Sequence, residues 1–406
     1  MLLLSTLTYE LHNAEDEEVT KNPQYAILSH RWSEPKTEIT FRTLNPADLR
    51  GFTLQTPSAK KIRGACAKAR ERKPPLAWLW IDTCCIDKSS TVEETRSINS
   101  MFEWYRKATV CYTYLNDVVC PPRGDQTFKR QQQQGSQQEG SQPRGQESVW
   151  FERGWTLQEL LTPQSMEFYD VEWKFMGTRA DLADDLQRVT GIDKRYLTGH
   201  SSFREASVAT KMSWMAGRVT KEVEDIAYSM LGLFNVNLTP LYGEGCKASM
   251  RLQRAILESS TDESIFAWTV PEQRLTCYRK GGQAPNTWNW PPSPCRWGLL
   301  APSPDCFRGS GDVVIILDKI VASLAGGYKW THQGLQFEKP SHATNHAFLG
   351  IPRNKIDFPL TCWRKGNDGK LETVVIYFAK LTLSGNATVT CWIRNGKQSR
   401  APTFSE

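Results

Sequence analysis

Between residues 24 and 176, four short apolar runs alternate with segments of helical period, and this alternation constrains the fold more than any other feature. The second run, residues 76–81 (LAWLWI), is apolar at every position, which suits a strand covered on both faces in a parallel sheet. Residues 25–28 supply the first run, 109–115 (TVCYTYL) the third and 166 to about 171 the fourth. Between the first two, Ile62, Ala65, Cys66 and Ala69 recur at i, i+3, i+4 and i+7 across residues 60–71, which predicts an amphipathic helix. Ile98, Met101, Phe102 and Tyr105 repeat that spacing behind a capping box of Thr91 and Glu94. A third helix, containing RGWTLQELL (residues 153–161), stops near Pro163. Strand, helix, strand in this order is the pattern of an α/β fold: a parallel sheet with right-handed crossovers and helices on both faces.

The remaining chain divides by composition. Residues 1–24 read as an N-terminal extension and 25–176 as the α/β domain. Within that domain residues 121–148, rich in Gln, Gly, Pro and Ser, read as a disordered surface insertion. Residues 177–268 read as a helical extension, with Val223, Ile226, Ala227, Met230 and Phe234 on one stripe and a further helix from about Cys246 to Glu258. From 269 to 406 short β-rich runs separated by Pro and Gly predict a small β-rich domain, including a hairpin turn around Gly366 to Gly369.

Charge excludes some functions. A net charge of +6 over 406 residues is mild, and the basic residues are mixed with acidic ones, so no nucleic-acid footprint is expected. No stretch reaches the length that spans a bilayer. The N-terminus lacks a basic lead-in to an apolar run, and eleven cysteines are an odd count; together these predict reduced thiols and a cytoplasmic setting. Gly243-Glu-Gly-Cys-Lys247 lacks the spacing of a phosphate loop and is rejected as one.

In an open parallel sheet, ligands bind beyond the carboxyl ends of the strands. Strand one runs into Ser29, His30, Arg31 and Trp32, and strand two into Asp82, Thr83, Cys84, Cys85, Ile86, Asp87 and Lys88. Strand three runs into Asn116 and Asp117, and after the insertion the chain reaches Arg153 and Trp155. An aromatic, a guanidinium, hydroxyls and carboxylates on one rim compose a nucleotide pocket. Its contact residues are Ser29, His30, Arg31, Trp32, Asp82, Cys85, Asp87, Arg153 and Trp155, and Glu159 is the catalytic candidate. Structural roles compete at each position. His30 can donate to a backbone carbonyl, Arg31 can pair with Asp82 or Asp87, and Cys84 and Cys85 can be buried as small apolar side chains without metal-ligand spacing. No metal site is expected. Glu159 shares a helical stripe with Trp155 roughly opposite Leu157, Leu160 and Leu161, so its competing role is that of a solvated surface residue.

The blocks YAILSHRW, EITF, WLWIDTCCIDKSS, INSMFEWYRKATVCYTYLNDV and WFERGWTLQELLTP resemble those of the fungal heterokaryon-incompatibility (HET) domain proteins. The similarity continues through residues 211–256 and into GLLAPSPDCF. This resemblance implies recognition of genetic non-self, regulated cell death, and protein partners or self-association. No phosphate loop or WD repeats follow, so a stand-alone HET protein is expected. More distantly, the strand order and the Trp155-xxx-Glu159 pattern resemble TIR domains, whose fold is flavodoxin-like and some of whose members cleave NAD with a glutamate at that place. Ser29 and Arg31 match the loop after their first strand. The loop after strand two departs from that pattern. The resemblance implies NAD as a substrate with no required cofactor; it also implies the alternative, a non-enzymatic interaction module that recruits a death effector.

Overall fold

The computed structural model describes residues 1–33, 36–51, 54–119, 128–130, 147–269, 300–315, 329–331, 334–336, 355–365, 371–383 and 389–400. They divide into two compact units. The first comprises Met1–Ser201, Arg218–Thr220 and Tyr228–Gly232, and the second comprises Ser202–Gly217, Lys221–Ala227 and Leu233–Glu406.

The sheet of the first unit contains β1 (Leu2–Ser5), β2 (Leu11–Asn13), β3 (Tyr25–His30), β4 (Trp78–Trp80), β5 (Val110–Tyr114), β6 (Met166–Tyr169) and β7 (Phe175–Thr178), ordered β2-β1-β4-β3-β5-β6-β7. Neighbours among β3, β4, β5 and β6 are parallel. Counted among themselves these four run 2-1-3-4, the flavodoxin-like order, whose ligand crevice lies where the order reverses, here between β3 and β5. The four apolar runs became these four strands, and β3, β4 and β5 are buried at every position. The sheet is mixed rather than purely parallel, because β1, β2 and β7 add antiparallel edges. Two of those strands, on one edge, come from residues read as an extension, where the apolar run LLLS is short but pairs with β4 through Leu4 and Ser5.

The first helices of this unit are α1 (Glu17–Lys21), α2 (Pro46–Arg50), α3 (Pro57–Glu71), α4 (Thr91–Lys107) and α5 (Thr156–Leu161). α3 starts where Thr56 accepts a hydrogen bond from Ala59 N and Pro57 occupies the first turn, where its missing N–H costs nothing. The cap of α4 is Ser90, which accepts from Glu93 N, one residue before the expected Thr91. The expected stripe of Ile98, Met101, Phe102 and Tyr105 is buried. Gly64 of α3 faces the Trp173 indole so closely that a Cβ would collide with it, and that indole stacks on Tyr114 at 4.8 Å.

α3 also buries a charge. Lys61 Nζ lies 2.8 and 3.0 Å from the two carboxylate oxygens of Glu38, and the side chains are 2% and 4% exposed. Glu38 additionally accepts from Ser58 Oγ at 2.9 Å and from the Ser33 backbone N–H, while Lys61 reaches the Arg31 carbonyl at 3.5 Å. Burial pushes the Lys61 ammonium below its usual range and Glu38 opposes this. A buried pair is secure only when its remaining hydrogen-bonding groups are also matched, and here Ser33 and Ser58 match them. The pair thereby ties the chain leaving β3 to α3.

Part of the Gln-rich stretch is core. Phe128 is fully buried, with its ring 4.8 Å from Phe151 and 5.7 Å from Phe168. Arg130 donates to the Glu147 carbonyl at 2.6 Å, and Asp117 accepts from Ser148 Oγ at 2.5 Å and Val149 N at 2.8 Å. The two ends of the stretch are thus joined at the rim. Residues 131–146 lie outside the described residues.

Further along are α6 (Ala183–Thr190), α7 (Lys194–Leu197), α8 (Val208–Met215), α9 (Asp225–Tyr228), α10 (Leu231–Phe234) and α11 (Lys247–Ser259). In the second unit the Gly243–Gly245 turn directs both glycine N–H groups, at 2.8 and 2.7 Å, to one oxygen of Glu224. Strands β8 (Val313–Ile315), β9 (Lys329–Thr331), β10 (Gly334–Gln336), β11 (Lys355–Lys365), β12 (Leu371–Leu383) and β13 (Val389–Arg400) form an antiparallel sheet in the order β13-β12-β11-β8 and a separate β9/β10 pair. β11 and β12 pair antiparallel around the expected hairpin turn, whose residues lie outside those described.

Two stability measurements follow from this packing. Phe128→Ala should destabilise by about 3–5 kcal/mol in denaturant melts, whereas deleting residues 131–146 should leave the midpoint unchanged; equal behaviour of the two would contradict a core role for Phe128. Lys61→Met should cost about 3–5 kcal/mol by stranding Glu38, and Glu38→Leu in the same chain should restore most of it.

Candidate functional site

Ser29 and His30 end β3 opposite Thr113 and Tyr114 of β5, so both stand at the point where the strand order reverses. Ser29 is fully buried, and its Oγ donates to Glu159 Oε2 at 2.5 Å. Trp150 lies in the 3-10 turn Val149–Glu152, and its indole Nε1 donates to the same Oγ at 2.9 Å. An indole N–H only donates. It therefore occupies a lone pair of Ser29 and leaves the hydroxyl proton for the carboxyl group.

Glu159 itself is buried, 7% exposed, in a helix whose six residues are all buried. The expected solvated stripe is absent, because α5 packs against β3, α4 and the 3-10 turn. Burial raises the Glu159 carboxyl to about 8, and nearby Asp82 acts in the same direction, while Ser29 and Arg153 oppose the rise. Tyr105 directs its own proton to the Leu28 carbonyl at 3.3 Å. At neutral pH Glu159 is therefore mostly a neutral acid, a state uncommon for carboxyls and concentrated at functional sites. Arg218 is buried nearby. It donates to the Arg153 carbonyl at 3.0 Å and to Thr156 Oγ1 at 3.1 Å, and burial pushes its guanidinium down to about 10 against the pull of Glu159.

Asp82 stands beyond β4, where its Oδ2 accepts from Trp32 Nε1 at 2.6 Å and its Oδ1 lies 3.6 Å from His30 Nε2. The imidazole is held well below its usual range by burial, then by Lys61 and Arg153, while the Leu28 carbonyl opposes this. His30 is thus a neutral ring. The Trp32 indole carries Lys88 Nζ 3.5 Å from its ring centroid and the Arg153 guanidinium 6.0 Å from it. Two cationic side chains thus flank the indole that donates to Asp82.

The other rim positions stand apart from this group. Asp87 is held in its own turn by Ser89, which donates from N at 2.9 Å and Oγ at 2.6 Å and keeps its carboxyl below the usual range. Cys85 is core: its Sγ accepts from Ile81 N at 3.4 Å, and burial pushes the thiol far up. Cys84 is likewise buried, its thiol pushed up to about 12. Among the described residues no ion pair joins Arg31 to Asp82 or Asp87; its backbone carbonyl receives Lys61 instead. Trp155 caps α5, and the indole tied to Glu159, through Ser29, is that of Trp150. Sequence reasoning missed Tyr105, Trp150 and Arg218 as members of the site, and it put Lys88 on the rim without choosing it as a contact residue. Of these, Trp150 had a usable signal in the WFERGW run, where a second tryptophan precedes the chosen one by five residues.

Among the described residues no group of three or more His, Cys, Asp or Glu is placed to hold a metal ion, and no helix is long and apolar enough to cross a membrane. Residues 25–159 match the family model for heterokaryon incompatibility protein (HET), the match ending on Glu159. The chain is similar to the vegetative incompatibility protein HET-E-1 of Podospora anserina, 39% identical over 289 residues, which is 69% of this chain and 20% of that protein. It thus spans about a fifth of the length of the curated relative it matches. No solved structure matches the chain. Through this domain the chain belongs to the heterokaryon-incompatibility (HET) domain proteins.

Proposed function

We propose that the chain acts in fungal vegetative incompatibility, and that its HET domain drives cell death by hydrolysing NAD at Glu159. The observation that carries this reading is a buried carboxyl, raised to about 8 and hydrogen-bonded by Ser29, at the switch point of a flavodoxin-like sheet. Its TIR-like strand order and the cluster of Trp32, Lys88 and Arg153 accord with a nucleotide substrate.

The chemistry uses few groups. As the nicotinamide–ribose bond breaks, its electron pair passes to the ring nitrogen, neutralising the pyridinium, and positive charge develops on the ribosyl ring. An ionised Glu159 stabilises that charge in a site that excludes water. Water then adds to the ribosyl carbon and loses a proton, giving ADP-ribose, nicotinamide and H⁺. The substrate assists, since a pyridinium brought near Glu159 favours the ionised carboxyl. The alternative, an interaction module that recruits a death effector, is favoured by the fact that Glu159 is already satisfied internally by Ser29; it leaves NAD intact.

Release of nicotinamide from NAD by the purified full chain separates the two. kcat/KM should rise with pH through about 8, the free-enzyme value of Glu159, and kcat should reach its plateau at lower pH. Glu159→Gln should lower the rate about a hundredfold or more; an unchanged rate assigns the carboxyl elsewhere. Its raised carboxyl also couples to stability. The contribution is complete below the unfolded value near 4.5 and is lost as pH rises through about 8, so wild type should lose a few kcal/mol relative to Glu159→Gln between pH 5 and pH 9. Parallel stability curves would contradict the burial.

A further inference from the structure

His30 Nε2 and Asp82 Oδ1 are both buried, both without a hydrogen-bond partner in the protein, and 3.6 Å apart. The His30 side chain is 1% exposed. We assign the ring proton to Nδ1, since the Leu28 backbone opposes the fall in the imidazole's pKa; Nε2, which has no hydrogen-bond partner in the protein, is then a lone pair. The partner oxygen of Asp82 is taken by Trp32. Two acceptors thus face one another with no proton between them, an arrangement that is costly inside a protein unless a donor completes it. Proton donors without positive charge fit best, because Lys61, Arg153 and Lys88 already surround the imidazole with cations.

We propose that His30 and Asp82 form a hydroxyl-accepting subsite that receives the vicinal diol of a ribosyl ligand, one hydroxyl donating to each atom. The ligand class rests on the nucleotide reading above, and the acceptor pair is independent of whether any bond is cleaved. The subsite adjoins Glu159, whose carboxyl feels the charge of Asp82. Binding the diol there places the ribosyl ring beside the group proposed to stabilise its positive charge. His30 and Asp82 are positioning residues in this arrangement. They also discriminate, since a ligand lacking the hydroxyls leaves both acceptors bare, and sites built to hydrogen-bond a substrate hydroxyl reject analogues without it.

Asp82→Asn gives a diagnostic variant. The amide oxygen can still accept from Trp32, and the amide nitrogen then turns a donor toward His30 Nε2, satisfying internally what the ligand would satisfy. The experiment is calorimetric titration of the full chain with ADP-ribose and with its analogue lacking the two hydroxyls of the terminal ribose, alongside thermal melts. Wild type should prefer ADP-ribose by about tenfold or more; in Asp82→Asn the preference should collapse to near unity with a melting temperature no lower than wild type. His30→Ala, which removes one acceptor, should also reduce the preference. Equal affinities in wild type, no binding of either ligand, or an undiminished preference in Asp82→Asn would overturn the subsite and leave the pair to solvent only. Nicotinamide release from NAD, measured separately, keeps the two ideas distinct: cleavage without diol preference sinks the subsite alone, and diol-selective binding without cleavage sinks the hydrolase alone.

Discussion

A carboxyl group withdrawn from water is the interaction on which the site depends. Glu159 lies in a short helix enclosed on several sides, and the Ser29 hydroxyl, oriented by the Trp150 indole, is the proton donor at its Oε2. Desolvation outweighs that hydrogen bond, which is why the group stays protonated to about pH 8. The same balance makes it responsive. A cation close to it outside water interacts far more strongly than it would in solution, so a positively charged ligand can ionise the group on arrival.

The frame that holds this carboxyl is built from matched polar groups rather than from apolar packing alone. Glu38 and Lys61 secure the chain leaving β3, Asp117 closes the base of the Gln-rich stretch through Ser148 and Val149, and Arg218 braces the start of α5 through the Arg153 carbonyl and Thr156. Each brace satisfies backbone or side-chain donors that would be costly to bury unpaired. His30 Nε2 and Asp82 Oδ1 are among the buried atoms that depart from that rule, and they do so beside Glu159. A site that leaves its own acceptors bare is preorganised for a donor brought by a ligand, since no internal bond must first be broken.

Much of the fold was legible in the residues. All-apolar runs such as LAWLWI and the spacing of Ile98, Met101, Phe102 and Tyr105 are local signals, and the parallel strands and α4 follow from them. The ends of the strands were legible too, since Ser29 and His30 close β3 as its apolar run predicts. The burial of Glu159 was not: a helical wheel assumes one solvated face, and α5 has none because β3, α4 and a 3-10 turn enclose it. Lys61 hid in the same way, as a charged residue inside an apolar stripe whose partner lies 23 residues earlier. Trp150 and Trp155 cannot be ranked by spacing alone. Only the closure of the chain across residues 117–149 brings Trp150 onto Ser29.

The protonation state of Glu159 can be followed on the group itself. Carbon-13 labelling of glutamate side chains, with Glu159→Gln to assign the resonance, allows the Glu159 carboxyl to be titrated by NMR in the intact chain. The account predicts a midpoint near 8, moving to lower pH in Asp82→Asn as a neighbouring negative charge is removed. A midpoint near 4.5, the ordinary glutamate value, would place Glu159 in water and contradict both the buried site and the function built on it.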